Sequence, residues 1–203
     1  MKIFKNPLLT KYNTFHLQVS ARELVILETH SDYQKLFDDY DLQHNKYLVI
    51  GEGSNILFKE NFDGIIITSS MDQIRILREN AAHVWVEVDS GLNWHKFVQK
   101  TISMGYQGLE NLSLIPGKVG AAPIQNIGAY GVEIKQFIES VIVVDIPSQQ
   151  TLSFSKEECQ FGYRTSIFKT TYKNQTMIRA VQMRLNKIPD FNIEYESIKE
   201  TLD

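Results

Sequence analysis

The 203-residue sequence is 43% hydrophobic and 22% charged, with a formal net charge of −3. This is the composition of a globular protein of one domain or two small lobes around a sizeable core. The slightly acidic balance offers no basic surface for nucleic acid or an anionic membrane. No run approaches the roughly 20 apolar residues of a membrane span, and residues 1–17, MKIFKNPLLTKYNTFHL, hold neither a continuous apolar segment nor a small-residue cleavage site, so a cytoplasmic protein is expected.

In chain order, residues 24–28 read as a strand, followed by a helix opened by Ser31 or Asp32 as N-cap. KYLVI is a short β-branched run that stops at Gly51, and GIIITSS (64–70) is a second strand. Alternating segments follow near IRIL (74–77) and HVWVEV (83–88), where Val84, Val86 and Val88 share a face. NWHKFVQKTISMGY then places Trp94, Phe97, Val98 and Ile102 on one helical stripe, with Thr101 in the same row and Asn93 as cap. Strands return with SVIVVDI (140–146), QTLSFS (150–155) and MIRAVQMRL (177–185), in which Val181, Met183 and Leu185 alternate with Gln182 and Arg184. Strands outnumber helices without alternating strictly with them, which favours α+β over a doubly wound parallel sheet, with an internal seam near residue 70.

The single cysteine, Cys159, excludes an intramolecular disulfide and a multi-cysteine zinc site. Its neighbours Glu157 and Glu158 would raise a thiol pKa, so it reads as structural. The five histidines show no H-x-H or H-E-x-x-H spacing, and no metal site is expected.

Three stretches carry chemistry. The first is YLVIGEGSNILF, which puts Gly51, Glu52, Gly53, Ser54 and Asn55 at the end of a strand. The third glycine of a G-x-G-x-x-G fingerprint would fall at Ile56, and a P-loop ending is absent too, so neither motif applies. What remains is either an ordinary hairpin turn or a nest of N–H groups suited to a pyrophosphate with no nearby lysine. The second is IPGKVGAAPIQNIGAYG (115–131), whose small residues let a flat ligand approach the backbone while Gln125, Asn126 and Tyr130 supply polar groups and an aromatic plane. Two such turns could clamp one extended ligand; close packing of backbone on backbone would explain the glycines alone. In the third, CQFGYRTSIFK, a buried or half-buried Arg164 beside Tyr163 would bind a carboxylate or phosphate, or stabilise developing negative charge. Alternatively it caps a turn or pairs with Glu157 or Glu158.

In order and spacing, YNTFHL (12–17), GEGSNILF (51–58), GLENLSLIPGKVGAAPIQNIGAYGVEI (108–134) and ECQFGYRTSIFK (158–169) resemble the UDP-N-acetylenolpyruvoylglucosamine reductase family, flavoenzymes that make UDP-N-acetylmuramate for peptidoglycan. The resemblance covers roughly residues 10–190, about the whole span of these motifs. It implies an α+β FAD-binding fold of the vanillyl-alcohol-oxidase (PCMH) type in two lobes, 1–70 and 71–190, with a non-covalent FAD and NADPH as reductant. The cofactor-binding residues it implies are Asn13, Thr14 and Phe15; Gly51, Glu52, Gly53, Ser54 and Asn55 at the pyrophosphate; and Ile115, Pro116, Gly117, Gly120, Ala121, Ala122, Gln125, Asn126, Gly128, Ala129, Tyr130 and Gly131 along the flavin. Arg164 is implied as the catalytic group that polarises the enolpyruvyl substrate, with Tyr163 beside it.

The sequence departs from the family's pattern in one respect. The family's proton-donating serine lies in a G-S-F-F-K-N-P-like stretch downstream and its catalytic glutamate near the C-terminus, and neither motif is present here. Ser166, Ser197 and the glutamates near the tail match neither motif and take no acid role. Residues 191–203 are expected to begin a linker to a substrate-binding domain, with weakened or absent turnover by this chain alone and a second polypeptide as one source of the missing part. The alternatives are a non-catalytic flavin-binding module that needs a partner chain, and another oxidoreductase of the same flavin fold. His16 gives no reason to expect a covalent flavin.

Overall fold

A computed structural model describes residues 1–189. The expected linker at 191–203, with Ser197, lies outside the described residues. Strands β1 (Lys2–Lys5), β2 (Ala21–Leu27), β3 (Tyr47–Val49) and β4 (Phe62–Ser69) form one sheet in the order β1-β2-β4-β3. β2 and β3 run parallel to β4, and α1 (Asp32–Asp39) lies on the crossover between β2 and β3. The continuous apolar run of β4 follows from burial on both faces. Ile65 and Ile67 join Val25, Leu27, Tyr33 and Leu36 in one cluster, while Ile66 packs with Leu9, Leu24, Ile50 and Phe58 in another.

The second sheet contains β5 (Ile74–Glu79), β6 (His83–Asp89), β9 (Ile138–Asp145), β10 (Thr151–Ser155) and β11 (Thr176–Asn186), all antiparallel, in the order β10-β9-β11-β6-β5. β7 (Gly128–Ala129) and β8 (Val132–Glu133) make a small separate hairpin. On the central strand β11, Val181 lies opposite both Val88 and Val141, and the period-two set Val181, Met183 and Leu185 is buried with Val84, Val86 and Val88. Helix α2 (Trp94–Ser103) adds Trp94, Phe97 and Val98 to that cluster. The two sheets meet where Val144, Ile146 and Met177 of the second pack against the β2/β4 cluster of the first. The architecture is α+β, as the element pattern implies.

Three local expectations need correction or refinement. Ser31 occupies the N-cap position of α1 but makes no capping bond; instead the Asp32 carboxylate turns back to accept from the Glu28 and Thr29 N–H groups at 2.8 and 3.0 Å. Ile102 is 46% exposed while Thr101 is 2% exposed. At 3.6 residues per turn the buried face of α2 centres near Trp94, and Ile102 falls roughly 90° from it. Thr101 enters the core because its hydroxyl is satisfied locally, donating to the Val98 carbonyl at 2.8 Å. Asn93 does cap α2, its Oδ1 accepting from the Lys96 N–H at 2.9 Å.

Phe97 is fully buried between α2 and the second sheet. Its replacement by alanine is expected to lower stability by about 3–5 kcal/mol, read as a shift of the urea midpoint at unchanged slope.

Candidate functional site

The loop that follows β3 turns sharply at Gly51–Asn55. Gly53 has φ +66°, and a Cβ there would lie 2.1 Å from the Tyr12 carbonyl oxygen. This glycine therefore lets the 12–17 segment pass against the turn. Asn13 holds that segment from inside. It is buried, its Nδ2 donates to the Leu9 and Leu17 carbonyls at 2.8 and 3.2 Å, and its Oδ1 accepts from the Leu17 N–H at 2.9 Å. Thr14 and Phe15 are exposed beside it, Phe15 by 62%. His16 is exposed as well, with Nδ1 3.4 Å from the Thr10 carbonyl.

The two glycine-rich turns touch. The Glu52 carboxylate accepts from the Asn93 side chain at 2.7 Å through Oε1 and from the Gly117 N–H at 3.1 Å through Oε2. Ser54 Oγ donates to the Pro116 carbonyl at 3.3 Å, and Asn55 Nδ2 donates to Gln125 Oε1 at 3.1 Å. Much of the polar chemistry expected to face a ligand is thus used to fasten the turns to each other.

Two adjoining cavities open around this joint. The smaller, about 200 Å³, is lined by Gly51–Ile56, Trp94, Pro116, Ala122, Gln125 and neighbours. The larger, about 240 Å³, lies between Tyr47–Gly51, Ile67–Ser69, Gly120, Phe168 and Thr176–Ile178. Val49, Ile50, Gly51, Lys118, Ala121, Ile124 and Lys169 belong to both. The glycines divide by role. A Cβ on Gly51 would sit 3.5 Å from the Ala121 and Lys118 side chains at the junction of the cavities, narrowing a wall that glycine leaves open. A Cβ on Gly120 would meet Ser90 Cβ at 2.6 Å, and one on Gly128 the Val132 carbonyl at 2.9 Å, so these two serve close packing. Gly117 and Gly131 take left-handed φ values of +126° and +78°.

The remaining expected residues lie away from the cavities. Ile115 and Ala129 pack against the main core. Asn126 is fully buried: Nδ2 donates to the Gly162 carbonyl at 3.0 Å and Oδ1 accepts from the Lys135 N–H at 3.1 Å. It acts as a clip between 115–131 and the loop that carries Tyr163 and Arg164. Tyr130 is half exposed with φ +48°, and its carbonyl accepts from Asn111 at 3.1 Å.

Of the readings left open for Arg164, the structure has the capping arginine and not the buried or half-buried one. Arg164 is exposed, at φ +53°, and Tyr163 beside it is 87% exposed. The pair forms the tip of a turn closed by reciprocal Gly162 and Thr165 backbone bonds, while Ile167 and Phe168 take the buried positions. Arg164 Nη2 caps the Gly128 carbonyl at 2.9 Å, and Lys169 Nζ donates to the Arg164 carbonyl at 3.0 Å. Ser166 is buried, donating to the Ile124 carbonyl at 2.8 Å. Burial, reinforced by Glu158 and Glu157, pushes the Cys159 thiol up to about 12, so it stays protonated and unreactive.

The residue that sequence reasoning missed is Lys118. It is half-buried, and its Nζ donates to Thr68 Oγ1 at 3.0 Å and to the Ser69 carbonyl at 2.6 Å. Burial lowers its pKa, with the Glu52 field opposing. The turn therefore does have a lysine beside it, contrary to expectation. A usable signal was present, since Lys118 is the one charged residue within 115–131. No group of three or more His, Cys, Asp or Glu able to hold a metal ion occurs among the described residues, and no helix among them is long and apolar enough to cross a membrane.

A two-sheet α+β frame with a cleft built from glycine turns is the geometry of a flavin-binding domain, and residues 21–155 match the family described as FAD binding domain, to which this chain belongs. The fold is the FAD-binding fold of the vanillyl-alcohol-oxidase (PCMH) type. More particularly, the chain is similar to UDP-N-acetylenolpyruvoylglucosamine reductase of Amoebophilus asiaticus (strain 5a2), 44% identical over 202 residues that cover 100% of this chain and 60% of the relative. The crystal structure of the reductase from Thermus caldophilus superposes with a TM-score of 0.73 at 26% identity, covering 98% of this chain and 66% of that one. A solvent-stable cholesterol oxidase, at 11% identity and TM-score 0.59, covers 91% of this chain and shares the fold alone. This chain spans less than two thirds of the reductases' length.

The two glycines of the first turn separate fold from cleft. Gly53→Ala is expected to cost at least about 2 kcal/mol by urea unfolding, from left-handed strain plus the clash with Tyr12, whereas Gly51→Ala should stay within about 1 kcal/mol of the parent.

Proposed function

We propose that this chain holds a non-covalent FAD across the joined glycine turns and forms the flavin-binding part of an NADPH-dependent reductase that converts UDP-N-acetylglucosamine enolpyruvate to UDP-N-acetylmuramate in peptidoglycan synthesis. The observation that carries the reading is the joining of residues 51–55 to 116–125 around two adjoining cavities, in a chain of the FAD binding domain family. Gly51 fits such a ligand, because its missing Cβ leaves the passage between the cavities open. Backbone N–H groups of the 51–55 turn would hold the diphosphate, and Ile124, Gln125 and the backbone beyond them would flank the ring system. Glu52, Asn13 and Asn126 act one step back, fixing the segments that touch it.

When bound, the flavin would supply hydride, taken from NADPH, to the vinyl group of the substrate. The residues of this chain position that substrate and stabilise its charge. The Arg164 guanidinium keeps one donor on the Gly128 carbonyl and presents the rest of its fork outward, where it can meet a carboxylate or an enolate-like oxygen, with Tyr163 alongside. A proton donor for the adjacent carbon does not come from a matching motif of this chain. Full turnover accordingly needs the further part that the longer relatives possess, whether downstream in the same protein or on a second polypeptide. In this reading residues 1–70 and 71–190 are the two lobes that enclose the cofactor, 191–203 lead toward the substrate-binding part, and the protein works in the cytoplasm. The exposure of Tyr163 and Arg164 also favours a second reading, a flavin-binding module that becomes catalytic only with a partner chain.

The first test is the visible spectrum of the purified chain after FAD is added and the excess removed. Retained, structured flavin bands support the site, and a folded chain that keeps none sinks the reading. Arg164→Ala should leave FAD affinity within about threefold, because the guanidinium lines neither cavity. In a chain completed with the C-terminal part of the Amoebophilus asiaticus relative, the same change should lower kcat by roughly 10²- to 10³-fold. Equal losses of binding and turnover would make Arg164 structural.

A further inference from the structure

The larger cavity is lined by Lys118, Lys169 and Lys173 and by no Asp or Glu, within a chain of net charge −3. Local charge is therefore opposite to global charge, which is what an anionic ligand requires. The other walls, including Ile50, Ile67, Phe168 and Ile178, are apolar and suit a flat ring. Lys118 and Lys169 line both cavities, and of the two Lys118 is the one whose side chain starts beside Gly51, at the passage between them. Its two protein acceptors, the Thr68 hydroxyl and the Ser69 carbonyl, are neutral. An ammonium has three N–H donors, so one is left for a ligand oxygen. Glu52 is the acid whose field reaches Lys118, and its two oxygens are already engaged by Asn93 and Gly117. A partly buried cation with only neutral contacts gains most from an anion delivered to it.

We propose that Lys118 binds the diphosphate of a dinucleotide where it crosses between the cavities, and so makes the cleft select a flavin carrying an adenosine diphosphate arm over one without it. This rests on the flavin reading above and adds to it a residue that sequence motifs do not assign. The adenosine end enters the larger cavity, Lys118 meets the phosphoryl oxygens, and the 51–55 turn supplies neutral donors from the other side.

The test titrates the chain with FAD, riboflavin and ADP, following flavin fluorescence and, for ADP, calorimetric heat, in parent, Lys118→Met and Lys118→Gln. Loss of a charge-assisted hydrogen bond should weaken FAD and ADP by roughly 10- to 100-fold in both variants, with riboflavin unchanged within about twofold. The glutamine variant keeps a neutral polar donor at this position, so it keeps the test valid if the methionine variant folds poorly; far-UV circular dichroism and the urea midpoint monitor this. Variants that bind FAD and ADP as the parent does, or that lose FAD and riboflavin alike, overturn the proposal. A parent that binds ADP through Lys118 but no flavin refutes the flavin reading while upholding the diphosphate site. A parent that binds FAD regardless of Lys118 does the reverse, and one that binds neither ligand overturns both.

Discussion

One carboxylate ties the cleft together. Glu52 leaves the end of the first sheet and accepts from Asn93, whose amide oxygen caps α2 of the second, and from the Gly117 N–H at the start of the glycine-rich stretch. Gly117 in turn accepts from the Trp94 N–H at 2.8 Å, so helix, turn and turn form one closed set of bonds. Each partner is partly withdrawn from water, and satisfying all of them together costs less than leaving any one unpaired. The glycine turns stay rigid because this set fixes them, and a rigid nest is the condition for preorganised recognition of a ligand.

Backbone strain is found in the loops around the same region. Leu114, Asn126, Tyr130 and Arg164 all take left-handed φ values, between +45° and +61°, without being glycine. Such residues persist only where their surroundings over-determine them. Here the supports are visible: His95 Nδ1 accepts from the Leu114 N–H, Asn126 is clipped at both ends, Asn111 holds the Tyr130 carbonyl and Lys169 the Arg164 carbonyl. The polar residues that look functional in the sequence thus split into those bonded to the backbone and those whose groups face a cavity or solvent.

That split explains what was legible beforehand. The alternation of Val84, Val86 and Val88, and of Val181, Met183 and Leu185, reports one-sided burial directly, so the second sheet could be read from its pattern. Ile102 misled because hydropathy does not carry the angular phase of a short helix, and Thr101 reached the core through a local hydrogen bond that no pattern registers. Glycine is ambiguous in the same way. Gly51 opens a cavity wall, Gly53 makes room for Tyr12 and Gly120 for Ser90, yet all three read alike as small residues in turns. The apolar neighbours Ile167 and Phe168 left a buried Arg164 as open a reading as a capping one, and the turn at Gly162–Thr165 lifts it out. Lys118 was overlooked because a lysine among glycines is ordinarily solvated, and only the three-dimensional closure of Thr68, Ser69 and Gly51 around it takes it from water.

The placement of charge then separates binding from chemistry. The larger cavity runs between the two sheets, where walls from β3, β4 and β11 shield a few fixed donors and lower the local dielectric. Tyr163 and Arg164 stand instead outside both cavities, on an exposed turn anchored to Gly128 and Asn126. A cation exposed there is screened and weak by itself. It becomes strong only when a bound substrate or an apposed surface removes water from around it. In the proposed reading the cleft between the sheets therefore holds the cofactor, and the electrostatic power of the exposed turn depends on what closes over it.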